Sequence, residues 1–174
     1  MKYQLFRKGE SFRFRLVKTL RLFFSFAMEG EDKILLDLLP ERGTYLDIGA
    51  HHPFWGSNTA LLYLRGWFGV NVDKKGKWQF KLFRPRDKFI YGYFPDIDVS
   101  KFKGYDLLDI DTDGLEVEIL KNILPFYTPP YAIIENNCFP EQYGVDELMT
   151  FYGYKKVCQT TRNGIYEHLH NIQR

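Results

Sequence analysis

Apolar residues along the chain fall into runs of strand length that alternate with stretches of helical spacing. From Glu41 onward this rhythm predicts a parallel sheet with crossover helices. Tyr45 to Gly49 predicts the first strand, and a helix from about Asn58 to Arg65 follows, with Ser57 or Asn58 as N-cap and Gly66 as its stop. Phe68 to Asp73 predicts the second strand. A basic helical stretch then runs to the break at Arg84-Pro85, and Lys88 to Phe94, with alternating aromatics, predicts a third strand. Tyr105 to Asp111 reads as a buried strand running into Gly114, after which Leu115, Ile119, Leu120 and Ile123 form one helical stripe. Pro125, Pro129 and Pro130 end that helix and lead into the strand Tyr131 to Glu135. A short helix from about Val145 to Tyr152 stops at Gly153. The strands Tyr154 to Thr160 and Gly164 to Leu169 close the chain, joined through Asn163-Gly164, a hairpin turn signal. The expected fold class is α/β, a doubly wound, mostly parallel sheet ending in an antiparallel hairpin.

Composition narrows the class. A chain of 174 residues with 45% hydrophobic content suits a single domain over 1–174, with residues 1–28 as a basic, aromatic N-terminal helical extension. Net charge is only +2, but residues 1 to 21 hold seven basic residues against one acid, so the positive charge is concentrated there. The segment FRFRLVKTLRLFFSFAM mixes these cations with Leu and Phe at helical spacing. Its ordinary reading is a helix packed across the core with its arginines in water; the sharper one is peripheral contact with a membrane surface. Cys138 and Cys158 stand far apart and without metal-ligand spacing, so neither a disulfide framework nor a zinc site is expected. The longest apolar run, Leu22 to Met28, is too short to span a bilayer and lacks the form of an export signal. A cytoplasmic location follows as the expectation, with peripheral contact at the inner face of a membrane as its variant.

In open parallel sheets, ligands bind beyond the carboxyl ends of the strands. The first strand ends in Asp47-Ile-Gly49-Ala50-His51-His52, where small residues let backbone approach a ligand. The second ends in Asp73, placed to accept hydrogen bonds from the two hydroxyls of a ribose. A dinucleotide pyrophosphate wants G-x-G-x-x-G, whereas this turn offers only Gly49 before Gly56. S-adenosylmethionine carries no phosphate, so the pattern favours it. A strand that finishes in an antiparallel hairpin also suits a methyltransferase sheet.

The third cluster is Asp109-Ile-Asp111-Thr-Asp113-Gly114, joined across the sheet by Glu135-Asn136-Asn137. Methyl transfer to a hydroxyl needs the acceptor aligned and its proton removed. A carboxylate or histidine can be the base, or Asp111, Asp113 and Glu135 can hold a divalent ion that acidifies the hydroxyl. Asp113 is expected mainly to cap the following helix. His51 and His52 stand within reach of an acceptor, although one can serve only as a backbone partner. Glu29-Gly30-Glu31-Asp32 reads as a helix N-terminus or as a lid over the cofactor. Lys74, Lys75, Lys77, Lys81, Arg84 and Arg86 read as a solvated helix face, with a phosphate or nucleotide-sugar role as the alternative.

With these residues in place, the chain resembles the FkbM family of methyltransferases. The matching pieces are Tyr45-Leu-Asp-Ile-Gly-Ala-His-His-Pro53, Ser57-Asn-Thr59, Arg65-Gly-Trp-Phe-Gly-Val-Asn-Val-Asp73, Arg84-Pro-Arg-Asp87, Ile110-Asp-Thr-Asp-Gly-Leu-Glu116 and Ile133-Ile-Glu135. They occur in family order over roughly residues 28 to 169. The resemblance implies a class I methyltransferase (Rossmann-like) fold, S-adenosylmethionine as donor, and O-methylation of sugars or glycan-containing metabolites. It places Asp47, Gly49, Ala50, Asn58 and Asp73 around the cofactor, with His51 beside them from the turn, and puts Asp111 and Glu135 on the acidic strand ends. Asp111, His52 and Glu135 are therefore the expected catalytic residues. Between Tyr93 and Lys103 the sequence is shorter than the family pattern. That shortening, with the basic N-terminus, motivates a second expectation: a cofactor-binding but inactive accessory module of a glycan-assembly complex. RNA cap methylation would want a basic groove with stacking aromatics, and the acids argue against a nucleic-acid partner.

Overall fold

The structure is a computed structural model, and it describes residues 24–98, 101–138 and 140–172. Most of the basic N-terminal segment, residues 1–23, lies outside the described residues; its last part, 24–28, carries no helix. The elements in chain order are α1 (Glu31–Leu38), β1 (Thr44–Ile48), α2 (Ala60–Arg65), β2 (Phe68–Asp73), α3 (Lys77–Phe83), β3 (Lys88–Tyr91), β4 (Leu107–Ile110), α4 (Glu116–Ile123), β5 (Tyr131–Glu135), α5 (Val145–Phe151), β6 (Tyr154–Gln159), β7 (Asn163–His168) and α6 (Leu169–Ile172). The strands form one seven-stranded sheet in the order β3-β2-β1-β4-β5-β7-β6. All neighbours from β3 to β5 are parallel, and β7 is antiparallel to both β5 and β6. The α/β class and the closing hairpin are as the sequence pattern predicts.

Alternation along the strands sorts side chains onto two faces. Leu46, Ile48, Leu108, Ile110 and Ile134 point to the face covered by Ile119, Leu120 and Ile123 of α4 and Met149 of α5. Tyr45, Leu107, Ile133 and Ile165 point to the other, under Leu35 and Leu36 of α1 and Leu61 and Leu62 of α2. The sheet is thus doubly wound. Its chain order reverses between β1 and β4, where the carboxyl ends of adjacent strands open a crevice.

Four local expectations are corrected. Thr59, rather than Ser57 or Asn58, precedes the first turn of α2 and makes no side-chain cap; all three side chains are buried and bonded elsewhere. The β6–β7 turn is Thr160 to Arg162, and Asn163-Gly164 lies inside β7, paired with Glu135 and Ile134. Gly164 is needed there for space, since a Cβ would stand 2.4 Å from the Tyr166 hydroxyl. Asp113 does not cap α4; Glu116 folds back and accepts from the Thr112 and Gly114 N–H groups. Arg84 is fully buried rather than solvated, as described below.

The connection from β3 to β4 carries no α-helix among the described residues. Phe94 is buried there, and Ile97, Phe102 and Tyr105 pack against the same face as α4. Apolar loop side chains therefore cover sheet that a helix would otherwise protect.

Candidate active site

At the switch point the carboxyl ends of β1, β2 and β4 line a cleft of about 500 Å³. Gly49, His51, Asp73, Asp111 and Asp113 all face it, as do Met28, Trp55, Lys74, Lys75, Tyr93 and Phe94. The volume lies within the usual range for small-molecule sites.

Gly49 is dictated by two constraints. Its φ is +94°, and an added Cβ would lie 1.8 Å from the carbonyl oxygen of Asp111. The turn after β1 thus runs directly against the end of β4. Asp73 organises the other wall: its carboxylate accepts the His51 N–H at 2.9 Å and the Lys75 N–H at 2.7 Å. Two strand ends are thereby tied together by one carboxylate that still has lone pairs facing the cleft.

His51 and Asp113 are the non-glycine residues with positive φ among the described residues, at 45° and 57°. Both line the cleft. Such conformations cost energy for side chains with a Cβ and persist where surrounding structure enforces them, commonly at functional sites.

Asp111 is half-buried at the end of β4. Burial raises its pKa from 3.8 to about 7, with the Glu135 charge adding to the rise and Arg162 opposing it. Asp111, Asp113 and Glu135 offer oxygens that all lie within 4.8 Å of one another. Glu135 itself is fully buried, held by Arg162 at 2.6 Å and by the Gln142 amide at 2.7 Å. These contacts hold the Glu135 carboxyl group in place beside Asp111.

Other expected site residues sit behind this front. Asp47 is buried and accepts the Thr59 hydroxyl at 2.7 Å, while Asn58 donates to Asp109 at 3.2 Å. Burial pushes the Asp47 pKa up to about 6, against the attraction of Arg84. Burial and the charge of Asp47 push Asp109 well above the usual carboxylate range. Ala50 is buried in the turn. His52 faces away from the cleft: its Nδ1 accepts from the Phe54 and Trp55 N–H groups, and burial lowers its pKa, keeping it neutral at physiological pH. Glu29 and Glu31 settle the reading of their segment. Gly30 opens α1, Glu31 and Asp32 fill its first turn, and Glu29 and Glu31 tie that turn to Thr160, Thr161 and Asn163.

Arg162 was not foreseen. It comes from a three-residue turn with no motif, and only the pairing of β7 with β5 brings it to Glu135. Tyr93, Phe94 and Met28 enter the cleft the same way, from irregular segments.

No protein-family model and no curated protein sequence matches the chain. Solved structures do resemble it. A TehB-like SAM-dependent methyltransferase from Corynebacterium glutamicum superposes with a TM-score of 0.54 at 17% identity, covering 81% of this chain and 88% of that one. The Burkholderia thailandensis 1,6-didemethyltoxoflavin-N1-methyltransferase, solved with S-adenosylhomocysteine bound, gives 0.54 at 15% identity over 93% and 91% of the two chains. A putative O-methyltransferase from Klebsiella pneumoniae gives 0.52 at 13% identity over 90% and 88%. With these likenesses and the strand order, the chain has the class I methyltransferase fold.

Proposed function

We propose that this chain is an S-adenosylmethionine-dependent methyltransferase of the FkbM type, acting on a hydroxyl of a sugar or glycan-containing acceptor. The observation that carries the reading is the cleft itself. Asp73, Gly49 and Asp111 converge there from three adjacent strand ends, with the turn glycine forced by the approach of the Asp111 carbonyl.

The residues fit the donor. Asp73 supplies carboxylate oxygens for ribose hydroxyls, the Gly49–His51 turn supplies close backbone, and Tyr93 and Phe94 supply rings. When bound, S-adenosylmethionine supplies an electrophilic methyl group on a sulfonium. The acidic wall of Asp111 and Asp113 favours that positive charge.

For an acceptor hydroxyl, Asp111 is the base. A carboxylate with a pKa near 7 takes a proton far better than one near 4, yet is substantially ionised at neutral pH. Burial holds that pKa up, and Glu135, fixed by Arg162 and Gln142, adds to it. The same oxygens of Asp111, Asp113 and Glu135 could instead orient a divalent cation that acidifies the hydroxyl. Full turnover after exhaustive EDTA treatment would exclude the cation and leave Asp111 as the base.

Calorimetric titration with S-adenosylmethionine, then detection of S-adenosylhomocysteine with nucleotide sugars and glycan acceptors, tests the proposal. Binding followed by turnover supports it. Binding without turnover on any acceptor favours the inactive-module reading, to which the lack of an α-helix among the described residues of the β3–β4 connection lends weight. Absence of binding removes both.

A further inference from the structure

Beside the cleft lies an apolar surface that the proposed chemistry does not use. A second groove, of about 480 Å³, is lined by Phe24, Phe26, Met28, Phe54 and Trp55, and shares Met28, Trp55 and Gly56 with the cleft. Its aromatic rings form a continuous row: Phe24 to Phe26 at 5.5 Å, Phe26 to Phe54 at 5.3 Å and Phe54 to Phe83 at 6.1 Å. The last ring belongs to α3, so the row runs onto that helix.

α3 buries one aromatic side chain and exposes other apolar ones. Phe80 is its buried contact, while Trp78 and Leu82, one turn apart on a single face, are 66% and 63% exposed. Trp55 and Met28 are 77% and 65% exposed. The His51–Ser57 loop is held against both ends of α3, through the close approach of Gly76 to the His51 carbonyl and through the bond from Arg84 to the Pro53 carbonyl. The exposed side chains of the loop and of α3 thus belong to two segments that are fixed against each other. Scattered exposed apolar residues need no explanation, but a contiguous patch of large ones marks an interaction surface.

The charges around it select the partner. Lys74, Lys75, Lys77 and Lys81 are all exposed along the same segment, and among the described residues none is paired with a carboxylate. The chain enters the patch at Phe24, directly after the stretch in which residues 1 to 21 carry seven basic residues against one acid. Protein interfaces are depleted in lysine, whereas Trp and Phe with flanking lysines suit the boundary of an anionic bilayer, where rings sit at headgroup depth and ammonium groups reach lipid phosphates. We propose that the face formed by Trp55, Trp78, Leu82 and Phe83, rimmed by the α3 lysines, docks this protein on an anionic lipid surface. Docking there sets the mouth of the cleft, at Met28 and Trp55, against the headgroup layer. The docking does not depend on the proposed reaction.

The full-length protein should be mixed with vesicles of phosphatidylcholine alone and of phosphatidylcholine with phosphatidylglycerol, and read by co-sedimentation and tryptophan emission. Trp67 is fully buried, so a shift in emission reports Trp55 and Trp78. The expected result is binding to the phosphatidylglycerol vesicles with a blue shift, weakened by salt. Trp55→Ser with Trp78→Ser and Leu82→Ser should lower vesicle affinity by about tenfold or more. Lys77→Glu with Lys81→Glu should remove the preference for anionic vesicles, with circular dichroism confirming that both variants fold. Three results would overturn the proposal. One is failure to bind either vesicle. Another is unchanged binding by the triple variant, which would give the role to the basic N-terminus alone. The last is a concentration-dependent dimer abolished by the triple variant, which would assign the face to a second copy.

Discussion

Two clusters of charge flank β1, and they are built on opposite rules. Around Arg84 every charge is answered. Its Nε donates to Asp87 at 2.7 Å, Nη1 reaches the Pro53 carbonyl and the Ser57 hydroxyl, and Nη2 reaches the Tyr45 and Thr59 hydroxyls. Tyr45, Tyr63 and Phe80 place rings within 5.3 Å of the guanidinium. Asp87 also accepts from Tyr45, the Gly69 N–H and Asn71. At the ends of β4 and β5, by contrast, Asp111 is desolvated by burial and meets like charge from Glu135 and Asp113, with Arg162 opposing. A buried charge whose bonding capacity is filled fixes the loop that carries the cleft. One left in repulsion keeps a proton affinity that chemistry can use.

The comparison is broken most directly at Arg84. Arg84→Met removes the cation and leaves Asp87 buried without its partner, a change expected to cost about 3–5 kcal/mol. Urea unfolding measures it. A loss below about 1 kcal/mol would show that the network does not support the fold.

Asp111→Asn tests the opposite cluster and should move activity and stability in opposite directions. Losing the base should lower turnover by about a hundredfold or more. For stability the sign follows from the raised pKa. Below the ordinary value of 3.8, Asp111 is protonated in both folded and unfolded chains and costs nothing; as pH rises towards about 7 the unfolded chain ionises first, and the folded state loses ground. The amide variant should therefore be more stable than the parent by about 1–2 kcal/mol above pH 7, with the gain disappearing near pH 4. Thermal melts across that range check it, and a gain that does not fade with acid would remove the titration from the account.

The sheet was legible because its signals are local. The short, largely apolar segments Tyr45–Ile48 and Leu107–Ile110 sit in the strands they predict, and Asp73 closes its strand. The charge balance of the site was not legible, since it depends on which distant residues meet. Arg84 reads as a surface cation in a basic stretch until Asp87 and Tyr45 fold around it. Arg162 has no motif, and reaches Glu135 only through the register of β7. Asn163-Gly164 misled for a related reason: the pair carries a turn signature, but Gly164 is there to make room for Tyr166.

A smaller effect is expected at Asp73, which ties together the turns after β1 and β2. Asp73→Ala removes the acceptor for ribose hydroxyls and frees the His51 and Lys75 N–H groups, so affinity for S-adenosylmethionine should fall by about ten- to a hundredfold. Turnover at saturating donor should fall less. Calorimetry and saturation kinetics separate the two, and a variant that binds normally would place the ribose elsewhere.

The finest test lies between the clusters, at Asp47, which Arg84 stabilises as an anion and burial destabilises. Its carboxylate accepts the Thr59 hydroxyl and lies behind the cleft wall, so an amide oxygen can keep that bond. Its pKa of about 6 means that the parent loses stability as pH rises from about 4 to 6 and regains none above. Asp47→Asn should thus gain about 1 kcal/mol at pH 7 and nothing near pH 4. If Asp47 belongs with the compensated, structural group, donor affinity should change by less than about twofold, under 0.5 kcal/mol. A tenfold loss would instead carry it across to the ligand-facing group, with the turn after β1 transmitting its charge to the cofactor.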